Sequence, residues 1–339
     1  MLKGKCFIIA ELSANHGGSL DIAKETIRAA KRAGADAIKL QTYTADTITL
    51  DVKTDLFKIN QGTAWDGQYL HDLYTNASLP WEWHKPLYEV AKEEGLVCFS
   101  SPFDKTAVDF LEELHTPIYK VASFEITDIP LIKYIASKQK PIIISTGIAT
   151  IADIELAIKT CKEEGNNDIT ILKCTSAYPA ALEDANLLTI PDIVNKFDVK
   201  SGLSDHTMGI ESPMVAVALG AKVIEKHFIL DRKIGGADAH FSLDEAEFKQ
   251  MVDAVRLTEK LMGCVDYEMT EKKKSSRTFS RSLFVSKNVK VGDVISEENI
   301  KSVRPNVGLH PKYFNEVIGK TFVKSVIKGT PLSFDIIKR

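Results

Sequence analysis

The sequence predicts an α/β fold, a closed (β/α)8 TIM barrel followed by a small C-terminal module. Three observations carry this expectation. Eight short apolar, β-branched runs are each followed by a helical pattern, the alternation that builds a parallel sheet covered by helices. None of the turns after these runs contains G-x-G-x-x-G, the glycine signature of an open doubly wound sheet, so eight units favour closure. After Gly263 the composition shifts: polar, basic TEKKKSSRTFS (270–280) leads into short strand-and-turn patterns.

In chain order the strands are expected at 6–12, 36–42, 96–101, 118–123, 141–146, 169–175, 199–204 and 222–228. Each is apolar almost throughout, as parallel strands buried on both faces must be. In the first helix Leu20, Ala23, Ile27 and Ala30 recur at three- and four-residue spacing, with Ser19 as N-cap and Gly34 past the end. In the last, Ser242 and Glu245 read as a capping box, Phe248, Met251, Val252 and Val255 as the buried stripe, and Gly263 as the stop. The connection from Tyr43 to Gly95 is too long for a plain βα unit and is expected to form a lid or side wall over the barrel mouth. Its Trp81 and Trp83 are read as packing residues. The division expected is 1–265 for the barrel, 266–280 for a linker and 281–339 for the module, which is small enough to need a docking partner.

Charge and cysteine usage narrow the function. The 339 residues carry 43 Lys+Arg against 46 Asp+Glu, a net charge of −3, without the clustered basic surface that nucleic acid requires. No apolar run approaches the ~20 residues of a membrane span, and Glu11 interrupts the N-terminal apolar stretch too early for a signal peptide. Five scattered cysteines with no CxxC fit reduced thiols. A cytoplasmic protein that binds neither nucleic acid nor membrane is expected.

In a closed barrel the reactive residues sit at the C-terminal strand ends. Here those ends are polar: Glu11; Lys39 and Gln41; Ser101; Lys120, Ser123 and Glu125; Ser145; Ser176 and Tyr178; Ser204 and His206; Glu225 and His227. Polar groups gathered in a barrel mouth are costly unless a ligand or a network satisfies them. Lys39 and Lys120 lie in apolar strands. Each alone reads equally as half of a buried ion pair with a glutamate, but two aimed at one mouth among hydroxyls point to a phosphate or carboxylate site; the rival is a Schiff-base lysine. His206 and His227 end neighbouring strands and suit one divalent cation, with Asp238 and His240 as further candidates. Glu11 and Glu125 are the candidate acid/base groups, with ion pairing to Lys39 or Lys120 as the plain alternative.

Taken in order, AELSANHGGSLDIA (10–23), KLQTY (39–43), FSSPFD (99–104), KVASFE (120–125), STG (145–147), CTSAYP (174–179), GLSDHT (202–207) and EKHF (225–228) resemble the sialic acid synthase family, and SVRPNVGLHP (302–311) resembles its antifreeze-like SAF domain, a β-clip fold. Within the family, the first, third and fourth of these motifs look most like the branch that makes pseudaminate. The resemblance implies condensation of phosphoenolpyruvate with an open-chain acetamido sugar, giving a nine-carbon 2-keto acid and phosphate. The sugar expected is 2,4-diacetamido-2,4,6-trideoxy-L-altrose, with N-acetylneuraminate or legionaminate synthesis as the alternative. It also implies a divalent metal (Mn2+ or Mg2+, with Co2+ admitted) on His206 and His227. Phosphoenolpyruvate contacts fall on Lys39, Ser101, Lys120, Ser123, Ser145, Ser176, Tyr178 and Ser204. Glu125 lies near the reacting carbons, and Glu11, Gln41 and Asp238 on the sugar or water side. A domain-swapped homodimer is implied, in which Arg304 of one subunit reaches the sugar bound by the other. Phe124, beside Glu125, is expected to make the sugar pocket more apolar, which suits a 6-deoxy sugar.

Overall fold

A computed structural model describes residues 4–60, 62 and 65–338. The chain divides into two compact units, one up to Gly263 and one from Cys264. The first contains eight parallel strands: β1 Phe7–Glu11, β2 Ala37–Thr42, β3 Val97–Pro102, β4 Tyr119–Val121, β5 Ile142–Ser145, β6 Ile169–Cys174, β7 Lys200–Asp205 and β8 Val223–His227. They close into a barrel in sequence order, β8 pairing with β1.

The strands are apolar almost throughout because they have two buried faces. In β1, Phe7 and Ile9 point into the lumen, where they pack with Phe99, Ile143, Leu172 and Val223. Ile8, Ala10 and Leu12 point outward into the core beneath the helices. The two-residue period of a strand then carries the lumen face of β1 to Glu11 and that of β2, from Ala37, to Lys39 and Gln41. Register sets these side chains beside one another, with Glu11 paired to Lys39 on one side and to His227 on the other. The lumen is therefore apolar below and polar at its C-terminal end. Gly202 of β7 permits this closure: a Cβ there would collide with the Val223 carbonyl and Leu172.

Ser19 caps the helix Leu20–Arg32, accepting from the Ile22 N–H, and Gly34 follows in the left-handed region. The cap of the last barrel helix, Glu245–Met262, differs from expectation. Asp244 and Glu247 form its capping box, because Ser242 is fully buried, donating to the Asp238 carbonyl and accepting from Asn15 Nδ2. A serine engaged in the core cannot serve a helix end two residues away.

Among its described residues the long connection after β2 holds three α-helices, Ala45–Ile48, Leu70–Ala77 and Trp81–Glu93. Trp81 stacks on Phe110 with ring centroids 4.7 Å apart, and Trp83 packs against the barrel's outer core. Both are packing residues. The second unit contains an antiparallel pair, β9 Ser282–Val285 and β10 Ile300–Val303, around a core that includes Leu283, Phe322 and Leu332. The stretch read as a linker contains an exposed helix, Glu271–Arg277, capped by Thr270. Among the described residues no helix is long and apolar enough to cross a membrane, and all five cysteines are unbridged.

Candidate active site at the barrel mouth

The polar end of the lumen is organised by two lysines and two glutamates. Lys39 Nζ lies 3.0 Å from Glu225 Oε2 and 3.3 Å from Glu11 Oε2, and Lys120 Nζ lies 3.9 Å from Glu225 Oε1. All four are at least 95% buried. Hydrogen bonds hold the carboxylates in place: Ser204 Oγ donates to Glu225 Oε1, and Gln41 Nε2 donates to Glu11 Oε1 and to Ser13 Oγ. Lys120 Nζ also donates to the Val121 carbonyl.

The charges within this group are unequal. Burial pushes the Glu11 carboxyl upward more than Lys39 pulls it down. Burial acts on Glu225 in the same direction, but Lys120 and Lys39 together hold it below the ordinary carboxylate range. Burial, with Lys39 adding repulsion, lowers Lys120 to about 8. Lys39 stays protonated despite burial because two glutamates flank it, which argues against a Schiff-base role, since that chemistry needs a neutral amine. With Glu11 raised, Glu225 held low and Lys39 kept charged, the buried floor leans positive, which suits an anion.

Hydroxyls surround this floor. Ser101 Oγ on β3 and Ser145 Oγ on β5 are buried without a hydrogen-bond partner. Ser176 Oγ donates to Ser123 Oγ at 3.1 Å, and both lie against Gly147. A Cβ at Gly147 would stand 2.6 Å from Ser123 Oγ and closer still to Ser176 Oγ, so glycine keeps that corner open.

The two histidines face each other across the mouth, ring centroids 5.3 Å apart, with Tyr178 and Phe241 packed against both. His206 Nδ1–H donates to the Thr175 carbonyl at 2.9 Å, which fixes the tautomer and leaves Nε2 as a lone-pair donor. His227 Nδ1 is buried without a hydrogen-bond partner, 3.6 Å from Asp238 Oδ2. The pair thus offers imidazole nitrogens suited to a divalent cation. Among the described residues no third side chain joins them closely enough to complete a three-donor centre. Among the described residues the one such group is Asp51, His71 and Asp72, where the Lys53 ammonium already bridges the two aspartates. His240 is exposed, with Nε2 3.4 Å from the Tyr178 carbonyl.

Above the floor opens a cavity of about 430 Å3. Ser13, Gln41, Ser176, Tyr178, His227 and Asp238 line it from the barrel side. Glu125 reaches it from a short 3-10 turn, Ser123–Glu125, with Oε2 buried and unpartnered and the carboxyl raised to about 7 by burial despite Lys120. The connection after β2 forms the opposite side through Trp65 and the helix Leu70–Ala77, the side wall expected from its length. Arg304 follows β10 on the second unit and is exposed.

Glu225 is a strand end for which the sequence alone suggests no role. It sits two residues before His227 on the same face of β8, and that parity was the signal for it. Ser13 and Gly147 lie within the motifs at 10–23 and 145–147, but nothing local to them shows their place at the mouth.

A closed parallel barrel whose C-terminal mouth combines buried lysines, carboxylates, hydroxyls and a histidine pair defines a (β/α)8 enzyme acting on an anionic small molecule. The chain belongs to the NeuB family, whose model matches residues 26–267, and residues 280–338 match the SAF domain. It is 51% identical to pseudaminic acid synthase of Campylobacter jejuni subsp. jejuni serotype O:23/36 (strain 81-176), over 97% of this chain and 95% of that one. Its identity to pseudaminic acid synthase of Helicobacter pylori (strain ATCC 700392 / 26695) is 49%, over 98% of both. The crystal structure of N-acetylneuraminic acid synthetase from Leptospira borgpetersenii serovar Hardjo-bovis, in complex with citrate, superposes with a TM-score of 0.72 at 31% identity, covering 80% of this chain and 90% of that one.

Proposed function

We propose that the chain is a pseudaminic acid synthase, condensing phosphoenolpyruvate with 2,4-diacetamido-2,4,6-trideoxy-L-altrose and water to give pseudaminate and phosphate. The observation that carries this reading is the pair of buried lysines, Lys39 and Lys120, set among the unpartnered hydroxyls of Ser101 and Ser145. Phosphoenolpyruvate presents two anionic groups, and this floor offers two ammonium ions with hydroxyl donors around them. Ser123, Ser176, Tyr178 and Ser204 extend the same surface.

In the reaction carbon 3 of phosphoenolpyruvate attacks the sugar aldehyde. Carbon 2 becomes oxocarbenium-like and is captured by water, and the tetrahedral intermediate releases phosphate by C–O cleavage. The lysines and serines fix the phosphate and carboxylate so that the enol face meets the aldehyde in the cavity. Glu125, with a carboxyl poised near neutrality, exchanges the proton between the aldehyde oxygen and the attacking water. Gln41, Glu11 and Asp238 orient the sugar and water. His206 and His227 would hold a divalent ion, Mn2+ or Mg2+, which supplies Lewis-acid stabilisation of charge on the aldehyde oxygen. Arg304 serves the partner's sugar in a domain-swapped dimer, and the enzyme acts in the cytoplasm, where phosphoenolpyruvate is made.

The test is phosphate release by metal-stripped protein given phosphoenolpyruvate and either the trideoxy sugar or N-acetylmannosamine, with and without Mn2+. Metal-dependent release with the trideoxy sugar alone is expected. Release with N-acetylmannosamine instead would keep the chemistry and overturn the sugar, and release with neither would overturn the function.

A further inference from the structure

On the outer face of the barrel wall, behind the two histidines, lies a second buried ion pair that the site described above does not use. Alternate side chains of β7 and β8 leave the lumen: Leu203 and Ile224 pack in the outer core, while Ser204 and Glu225 meet inside. The next outward positions are Asp205 and Lys226, which register sets opposite each other. Lys226 Nζ donates to Asp205 Oδ2, and the side chains are 1% and 2% exposed respectively.

The same ammonium also donates to the Thr207 carbonyl. Asp205 Oδ1 in turn accepts from the Thr207 N–H at 3.0 Å and from Thr207 Oγ1 at 2.8 Å, the local turn that an aspartate makes with the residue two ahead of it. Thr207 Oγ1 lies 3.0 Å from Ser212 Oγ, in the first turn of the helix Glu211–Ala218. Lys226 therefore grips the chain on both sides of His206, at residues 205 and 207, and itself immediately precedes His227.

Packing does not account for this pair. The outward positions beneath it are apolar, and a buried ion pair gives little net stability over apolar residues of the same size. What it supplies is geometry. From the β6 side His206 is held by its Nδ1–H bond to the Thr175 carbonyl and by the Ala180 N–H, which donates to the His206 carbonyl at 2.9 Å. The ion pair holds it from the β8 side. Resting on the metal placement given under the function above, we propose that Lys226 and Asp205 are positioning residues that set the separation of His206 and His227, and with it the affinity for a divalent cation. Supports behind metal ligands are worth about 10- to 100-fold in metal affinity.

The experiment measures the Mn2+ dissociation constant of the metal-stripped full chain, from the electron paramagnetic resonance signal of the free ion. The variants are Asp205→Asn/Lys226→Met and Asp205→Asn alone. The double variant removes both charges, so neither is stranded, and its amide oxygen still accepts from the Thr207 N–H. Its urea midpoint is expected to stay near that of wild type while its Kd for Mn2+ rises about tenfold or more. The rise in melting temperature that phosphoenolpyruvate gives the metal-free protein should be unchanged, because Lys39 and Lys120 are untouched. Asp205→Asn should weaken Mn2+ binding in the same direction, and it decides the matter by the same criterion if the double variant fails to fold. A Kd for Mn2+ within about twofold of wild type overturns the positioning role and leaves the synthase reading intact. Loss of fold in both variants, or equal weakening of Mn2+ and phosphoenolpyruvate binding, would make the pair a structural brace and overturn it as well. Mn2+ affinity that survives His227→Ala would overturn the metal placement, and this inference with it.

Discussion

Lys39 and Glu225 meet inside the barrel with Nζ and Oε2 3.0 Å apart, each about 95% buried. They come from β2 and β8, the strands that flank β1, and Glu11 of β1 stands between them as the second partner of Lys39. A buried ion pair adds little net stability because both ions give up their hydration, yet removing one partner strands the other charge at high cost. The arrangement therefore fits a site that holds charge ready for a ligand better than it fits a structural brace.

Glu225→Gln should be destabilising by about 3–5 kcal/mol, because it takes the carboxylate partner from buried Lys120 and leaves Lys39 with Glu11 alone. The control Lys133→Gln, which breaks the exposed pair with Glu164, should cost no more than about 1 kcal/mol. Urea unfolding measures both. Phosphoenolpyruvate should restore stability to the Glu225 variant, since a ligand bound to the native state stabilises it by mass action. Equal midpoints for the two variants would remove the lumen cluster from the argument.

The pH dependence of Glu125 has a definite sign. Burial raises its carboxyl from 4.5 to about 7 in the folded protein, so the native state keeps a proton that the unfolded chain releases. Stability contributed by this group is therefore full below about pH 4.5 and is lost as pH rises toward 7. Glu125→Gln should flatten that segment of the stability curve and remove a break near pH 7 from the kcat/KM profile. Glu11 moves in the same direction, so only the difference between wild type and variant reports Glu125. An unchanged kcat/KM profile in the variant would exclude Glu125 as the proton-exchanging group.

Gly147→Ala separates binding from folding. The atoms nearest the added methyl would be the hydroxyl oxygens of Ser176 and Ser123 and the Cys174 sulfur, all side-chain ends, and the hydroxyls can rotate away, so the melting temperature should change by no more than a few degrees. The displaced hydroxyls would no longer face the anion site, and KM for phosphoenolpyruvate should rise about tenfold, the equivalent of one hydrogen bond to a charged group. A large stability loss with unchanged KM would show that this corner serves packing.

Chelation should abolish phosphate release and Mn2+ should restore it. His227→Ala should lose both the activity and any Mn2+-dependent rise in melting temperature. Asp51→Asn should keep both, because Lys53 rather than a metal neutralises that exposed cluster. A variant at His227 that still gains stability from Mn2+ would move the metal site elsewhere.

The strand bodies and their order were legible because a parallel strand buried on both faces leaves an unbroken apolar run, and eight such runs without a dinucleotide turn leave few architectures. The charged lumen was only half legible. Lys39, Lys120, His206 and His227 stood out as polar residues in or after apolar runs, but which carboxylate each lysine meets depends on register between strands far apart in sequence. Glu225 and Glu11 converge on Lys39 only once β8 closes onto β1. Ser242 was misread as a cap because local spacing cannot reveal that its hydroxyl is taken by Asn15, more than 200 residues away. That Gly147 keeps a corner open beside Ser123 and Ser176 was likewise invisible, because it depends on strands far apart in sequence. The sequence by itself determined the eight strands, the extra module and the chemistry-bearing residue types, through local periodicity and composition. Tertiary structure alone decided which charges pair and which hydroxyls stay unpartnered, because those outcomes depend on long-range register and on burial, which sets the cost of every charge in the mouth.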